Sequence, residues 1–270
     1  MPPVMASNVP PHSDTGRASL RQVTILGVPV HDVTYDEAVG AIAGVIAHGG
    51  RVQVTTPNPE FVMQARRDAA FQRVLQDSWL NVPDGVGLLL AAWWQGRPLR
   101  EQVRGTDLIE ALARYGAPRG WRFFFLGAAP GVAELAAARL VRRYPGLVVA
   151  GTYGGSPRPE DDATTVAAVQ AAAPVDVLLV AYGAPGQDLW IARNLPRLDV
   201  RVAIGVGGAL DFLSGRVQRA PLWMRRAGLE WLYRLVRQPW RWRRQRVLPV
   251  FAVLAAAEAL RLRLGRERRT

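Results

Sequence analysis

Asp84 stands in a Pro83-Asp84-Gly85 turn. A carboxylate held by a tight turn at the end of a strand is placed to take a proton from an acceptor hydroxyl. Asp and Gly also favour turns for backbone reasons alone, so the tripeptide serves equally as a turn former. Thr56 and Asn58 carry a hydroxyl and an amide suited to a sugar or nucleotide, and either also suits capping of the helix that Pro59 opens. Gln187, in the Gly183–Asp188 loop, could contact a base or sugar, or be an exposed first-turn residue. Asp211 lies in an apolar, Gly-rich stretch where an unpaired buried carboxylate is costly. It needs an Arg or a ligand hydroxyl beside it, unless it only caps a helix. The Leu126–Gly131 loop precedes a helix, so amides around Gly127 could receive a phosphate. Gly in a strand–helix turn is also a plain backbone requirement.

Other chemistries are excluded. The chain has no Cys, which removes disulfides, thiolate metal sites, iron–sulfur clusters and a thiol nucleophile. His12, His31 and His48 are isolated, so no metal is expected, and no cofactor. Neither the GxGxxG dinucleotide fingerprint nor the GxxxxGK[ST] phosphate loop occurs. No apolar stretch reaches the roughly 18–20 residues of a spanning helix. The N-terminus lacks the basic start and apolar core of a signal peptide, which makes the cytoplasm the default location.

The elements that must position these residues alternate. Residues 1–20, rich in Pro and polar groups, read as a disordered leader. A β-rich run over 23–30 precedes a helix that Thr34 and Glu37 cap as a box and Gly49 stops. A strand is expected at 51–56, then a helical stretch in two pieces, a short strand before Val82, and helices from Val86 and from Thr106, the latter with Thr106 as cap. Apolar strands at 121–127, 147–155, 175–183 and 200–208 then alternate with helices. Continuous apolar strands separated by helices predict an α/β fold, a Rossmann-like, mostly parallel sheet with helices on both faces. Ligands bind beyond the carboxyl ends of such strands, where all five polar loops described above would converge.

Charge divides the chain. Of the formal net charge of +12, all lies beyond residue 215: residues 216–270 hold 15 Arg against Glu230, Glu258 and Glu267, and residues 1–215 balance. The expected organisation is a catalytic α/β domain over 21–215 and a basic, amphipathic helical appendage over 216–270. Arg mixed with Trp and Leu suits an anionic membrane surface. The 14-residue run 247–260, interrupted by Glu258, is too short to span and suits an interfacial or packed helix. Arg with aromatics also suits nucleic acid, which leaves a nucleic-acid-binding protein as the alternative. Against it stand the neutral first 215 residues and the lack of any RNA-binding motif.

Taken in order, several motifs resemble one family: TxNxEF at Thr56–Phe61, PDG at Pro83–Gly85, GTDL at Gly105–Leu108, FFLGAAPGV at Phe124–Val132, GAPGQDLWI at Gly183–Ile191, and the long closing segment from Gly205 to Leu235. Over roughly residues 23–246 the chain is similar to the WecG/TagA/CpsF glycosyltransferases, glycosyltransferase family 26. The resemblance implies a GT-E-type Rossmann-like domain and an inverting, metal-independent transfer of N-acetylmannosamine, or a related sugar. The donor is a UDP-sugar and the acceptor a polyprenyl-diphosphate-linked N-acetylglucosamine, in teichoic-acid, enterobacterial common antigen or exopolysaccharide precursor synthesis. It implies a cytoplasmic protein peripheral on the inner face of the cell membrane, without nucleic acid, and leaves homo-oligomers open. Its C-terminal appendage associates with the membrane and helps complete the site. Carried over by position, Asp84 is the general base, Thr56 and Asn58 line the sugar and acceptor site, and Gln187 and Asp211 hold hydroxyls. Help for the leaving diphosphate falls to amides and to Arg104, Arg219, Arg225 and Arg226. Two positions depart from the family pattern: Gln102 stands where an Arg is frequent, and Asp188 replaces a Glu.

Overall fold

A computed structural model of the chain describes residues 20–267. All of the expected leader but Leu20 therefore lies outside the described residues. The run 23–30 is a hairpin, not one strand: β1 (Gln22–Ile25) pairs antiparallel with β2 (Val28–His31). Leu26 and Gly27 both take positive φ, 48° and 88°, the pair of left-handed residues that a two-residue turn needs to follow strand twist. α1 (Tyr35–Ala47) starts at the expected capping box. Thr34 Oγ1 accepts the Glu37 N–H at 3.2 Å and the Glu37 carboxylate accepts the Thr34 N–H at 3.0 Å.

β3 (Val52–Thr55) leads into α2 (Pro59–Ala65) and α3 (Ala69–Asp77), split where Asp68 leaves the helix and caps α3. β4 (Leu80–Asn81), α4 (Val86–Trp94) and α5 (Gly105–Gly116) follow. Thr106 is not the cap of α5, because the helix begins one residue earlier. Arg104 holds the cap position, without a side-chain capping bond, and Thr106 lies inside the first turn. The regular part comprises β5 (Arg122–Gly127), α6 (Val132–Arg143), β6 (Val148–Tyr153), α7 (Asp162–Gln170), β7 (Val175–Ala181), α8 (Gly186–Asn194), β8 (Val200–Gly205) and α9 (Ala209–Leu213).

The main sheet runs β4-β3-β8-β7-β5-β6, and every pairing in it is parallel. Side chains alternate between its two faces. Phe123, Phe125, Val177, Leu179, Val202 and Ile204 join a core with α1, α5 and α6. Phe124, Leu126, Leu178, Val180 and Ala203 join another with Val169 of α7 and Trp190 and Ile191 of α8. Burial on both faces is what the continuous apolar strands required.

After residue 215 come α10 (Leu222–Arg226), α11 (Glu230–Arg237), α12 (Trp242–Gln245) and α13 (Leu248–Glu267). Part of this segment packs back onto the globule. Phe251 and Ala255 of α13 are buried in a core shared with the hairpin and α2–α4. The Glu258 carboxylate, which interrupts the apolar run in the sequence, accepts the Leu26 N–H at 2.9 Å and the Gln95 side-chain N–H at 3.0 Å. Of the two roles expected for 247–260, α13 adopts the packed one over this face. Val250, Val253 and Leu260 on the same helix remain exposed. Among the described residues no helix is long and apolar enough to cross a membrane.

Candidate active site

Loops after β3, β4, β7 and β8 meet the C-terminal segment around a cavity of about 510 Å³, within the size range of small-molecule sites. Its floor is built by close backbone approach. The Asp84 N–H donates to the Pro57 carbonyl at 3.0 Å, which ties the PDG turn to the loop after β3. A Cβ on Gly85 would stand 2.6 Å from Pro59 Cδ and 3.0 Å from Asn58 Cβ, so only Gly fits there. The N-terminus of α5 closes the floor from the other side, where the Gly105 N–H bonds the Asp84 carboxylate. Burial pushes that carboxyl up to about 7. The Gly105 N–H opposes the shift, nearby Glu230 adds to it, and Arg104 and Arg234 oppose it. A carboxylate with a pKa near neutrality is matched to general-base work.

Thr56 is buried beside Asp84, and its hydroxyl donates to the Gly205 carbonyl at 3.2 Å. Asn58 lines the cavity and also caps α2, its Oδ1 accepting the Phe61 N–H at 3.1 Å. Gln187 is not an exposed first-turn residue. It is 1% exposed, and its Oε1 accepts the Gly183 N–H at 3.1 Å and the Gly207 N–H at 2.8 Å, which clamps the loops after β7 and β8 together. Asp188 behind it is fully buried against Gly205, and neither carboxylate oxygen meets a well-formed hydrogen bond among the described residues. Burial raises its carboxyl to about 7, only partly offset by the Gln187 side chain and its own N–H.

The remaining expected residues divide. Arg104 and Arg219 line the cavity. Asp211 sits one layer back, in the first turn of α9 beside Gly208, where it acts on Arg241 through charge. Arg225 contributes its carbonyl to Arg104, and its guanidinium lies 4.0 Å from Asp107, outside the lining. Arg226 is exposed and also outside it. Gly127 does not reach the cavity, because β5 is separated from β8 by β7. Its φ of +90° and the Tyr182 ring, 2.8 Å from where a Cβ would stand, account for the glycine. Four of the five loops therefore converge. Gln102 donates to the Asp84 carbonyl and accepts from Arg104 at 2.8 Å, so Arg104 reaches the cavity over a glutamine spacer.

Three further arginines line the wall, Arg234, Arg241 and Arg244, and sequence reasoning passed over them. The tail holds so many Arg that composition singled out none, and spacing does not separate these three, since Arg219 and Arg226, or Arg243 and Arg246, repeat the same intervals. Burial lowers the pKa of Arg234, with Glu230, Asp84 and Glu60 opposing. Burial also lowers Arg241 to about 10, with Arg234 and Arg244 adding to the shift. Arg234 Nε is buried without a hydrogen-bond partner among the described residues, and its guanidinium lies 4.8 Å from the Phe212 ring centroid. Desolvated, crowded cations of this kind gain from an anion in the cavity.

An ion-pair cluster fastens the wall to the domain. Arg219 grips Asp107 of α5 through its two terminal guanidinium nitrogens and reaches Glu230 of α11 through Nε at 3.4 Å, and Arg104 lies 3.6 Å from Glu230. Burial alone would raise the Asp107 carboxyl, but Arg219, Arg104 and Arg225 overcome it and hold it below the usual carboxylate range. A broader groove of about 870 Å³ lies around Asp32 and Arg100, where the charges pair with one another: Arg100–Glu37 at 2.6 Å and Arg21–Asp32 at 3.0 Å.

The Glycosyl transferase WecG/TagA/CpsF family model matches residues 23–265. The chain belongs to this family. The match runs past residue 246, where the sequence resemblance was expected to stop, and takes in almost all of α13. Among curated relatives, the chain is 32% identical over 223 residues to an N-acetylglucosaminyldiphosphoundecaprenol N-acetyl-beta-D-mannosaminyltransferase of Bacillus subtilis, covering 83% of this chain and 82% of that protein. It is 35% identical over 198 residues to the protein of the same name from Bacillus spizizenii, covering 73% and 76%. With the Staphylococcus aureus MRSA252 protein, again of that name, it shares 29% identity over 237 residues, 87% and 92% of the two chains. Nothing in the family match or in these relatives favours nucleic acid. Arg219, Arg234 and Arg241 are part-buried around the cavity instead of forming an outer stripe.

Proposed function

We propose that this chain is an inverting, metal-independent glycosyltransferase. It moves N-acetylmannosamine, or a related sugar, from a UDP donor to the 4-hydroxyl of a polyprenyl-diphosphate-linked N-acetylglucosamine, on the route to teichoic acid or another cell-surface polymer. The observation that carries the reading is the pairing of Asp84, its carboxyl pushed up to about 7, with a wall of arginines around one cavity. The relatives' names supply the sugar and the acceptor.

In the transfer, the Asp84 carboxylate takes the proton of the acceptor hydroxyl as its oxygen bonds to C1 of the sugar. The C1–oxygen bond to UDP breaks on the opposite face, and UDP leaves with the electron pair. Charge accumulates on the departing diphosphate, and preformed cations aimed there need no reorganisation. Arg234, Arg241 and Arg244 suit that role better than Arg225 or Arg226, since they line the cavity. Thr56 Oγ1 keeps acceptor capacity for a sugar hydroxyl, and the Asn58 amide keeps its N–H donors, because its oxygen caps α2. Gln187 acts by fixing the loops, its oxygen already holding two amides.

Trp223, Trp240 and Trp242 are exposed on the C-terminal segment among arginines, a pattern that supports attachment to the anionic inner face of the membrane. The test is UDP release by the purified protein, given a lipid-diphosphate-N-acetylglucosamine and, in turn, UDP-N-acetylmannosamine, its uronic acid, UDP-N-acetylglucosamine and UDP-glucose. Release that requires both substrates and is fastest with the mannosamine donor is expected. Release with none of the four overturns the reading.

A further inference from the structure

The cavity that holds Asp84 has a second half of different chemistry. α4 presents Val86, Leu90 and Trp94 to it, spaced four residues apart and so on one stripe of the helix. α13 presents Leu248 and Phe251, three apart, and Trp231 of α11 lines it too. The two helices approach at Gly87, where a Cβ would stand 2.7 Å from Pro59 Cγ and 3.6 Å from Phe251 Cε1. Apart from the two indole N–H groups and Gln245, whose side-chain N–H donates to the Trp231 carbonyl at 3.2 Å, the residues of this half are apolar, so it has little to give a nucleotide or a sugar. It also opens outward. Leu90 is 48% exposed, and Trp93 and Val253 on the two helices are 63% and 70% exposed. Apolar surface therefore continues from beside the base to the outside of the molecule, and an exposed apolar strip of this kind marks a binding site.

We propose that the α4–α13 groove binds the first units of the acceptor's hydrocarbon chain, a branched polyisoprenoid joined to the diphosphate, which enters past Leu90, Trp93 and Val253. The inference rests on the lipid-diphosphate acceptor proposed above, and it gives the apolar half an occupant of matching chemistry. The groove meets the chain and the acceptor sugar falls at Asp84, while Arg234, Arg241 and Arg244 stay with the diphosphate of the departing UDP. Each methylene removed from water in such a groove tightens binding by up to about fourfold.

The test uses the full chain in detergent-free buffer with two soluble acceptors, the methyl and the farnesyl diphosphate esters of N-acetylglucosamine. The wild type is expected to prefer the farnesyl ester by at least tenfold in kcat/KM. Ala252→Trp, which fills the groove from α13, and Leu90→Ser, an exposed change that the fold tolerates, are each expected to bring that ratio towards one. A wild-type ratio near one overturns the groove. So does a ratio that stays at the wild-type value in both folded variants, as it would if the wall only rested on the acyl chains of a bilayer. In either case transfer to the methyl ester still proceeds and the proposed function stands. Transfer to neither ester refutes the function, and the groove with it.

Discussion

Replacing Asp84 by Asn should make the folded chain more stable at alkaline pH. The folded state holds the Asp84 carboxyl at about 7 against an ordinary value of 3.8. Between those values the unfolded chain has lost this proton while the folded chain keeps it, so stability falls as pH rises through the window and stays reduced above it. The full difference corresponds to about 4 kcal/mol as an upper bound. Water entering the cavity screens it, and about 1–2 kcal/mol is the expected residue. The Asn side chain keeps an oxygen for the Gly105 N–H, so the substitution removes the charge without removing the floor's hydrogen bond. In a chain of this size the gain appears as a rise of about 2–8 °C in Tm at pH 8.5, shrinking towards zero near pH 4. Thermal unfolding of both proteins across that range measures it. A variant less stable at pH 8.5, or a difference that does not change with pH, would refute the burial argument.

Further outcomes follow from the same contacts. Asp188→Asn should gain stability over the same pH window, by more than Asp84→Asn, since the Asp188 side chain is fully buried; paired melts at pH 4.5 and 8.5 decide it. Asp107→Asn removes the bidentate partner of Arg219 and leaves a part-buried cation, so about 1–3 kcal/mol of docking is lost. Limited proteolysis between residues 216 and 247 should then accelerate. Arg241→Ala should weaken donor binding by about 10- to 100-fold, read as the KM for the UDP-sugar, with little change in melting. Gly85→Ala presses a Cβ against the adjoining Asn58 and Pro59 and should cost about 1–3 kcal/mol by overpacking, visible as a lower Tm.

What the sequence disclosed depended on whether the signal was local. The capping box of Thr34 and Glu37, the apolar strands and the PDG turn are written in adjacent residues, and each lies where the pattern put it. The hairpin at 22–31 was hidden because its turn is Leu26-Gly27, not the usual Asn-Gly. Thr106 misled because a good capping residue followed a Gly that the helix could absorb. Gly127 looked like a phosphate loop, yet strand order, which no local pattern carries, places β5 two positions from β8. The choice among fifteen tail arginines required knowing where the C-terminal segment packs, and the buried clamp made by Gln187 required knowing that the loops after β7 and β8 lie side by side. Glu258 looked like a break in an apolar helix and is the clip that fastens α13 to the hairpin.

The central claim, that Asp84 is the base of a sugar transfer, is tested most directly by kcat/KM for transfer from UDP-N-acetylmannosamine to a lipid-diphosphate-N-acetylglucosamine, measured from pH 5 to 9 for the wild type and Asp84→Asn. The wild-type rate should rise with pH and level off above about 7, the value at which the carboxyl loses its proton. The folded Asn variant should be slower by about 10²- to 10⁴-fold and lack that rise. An Asn variant within a few fold of the wild type, or one that keeps the same rise, would contradict the account.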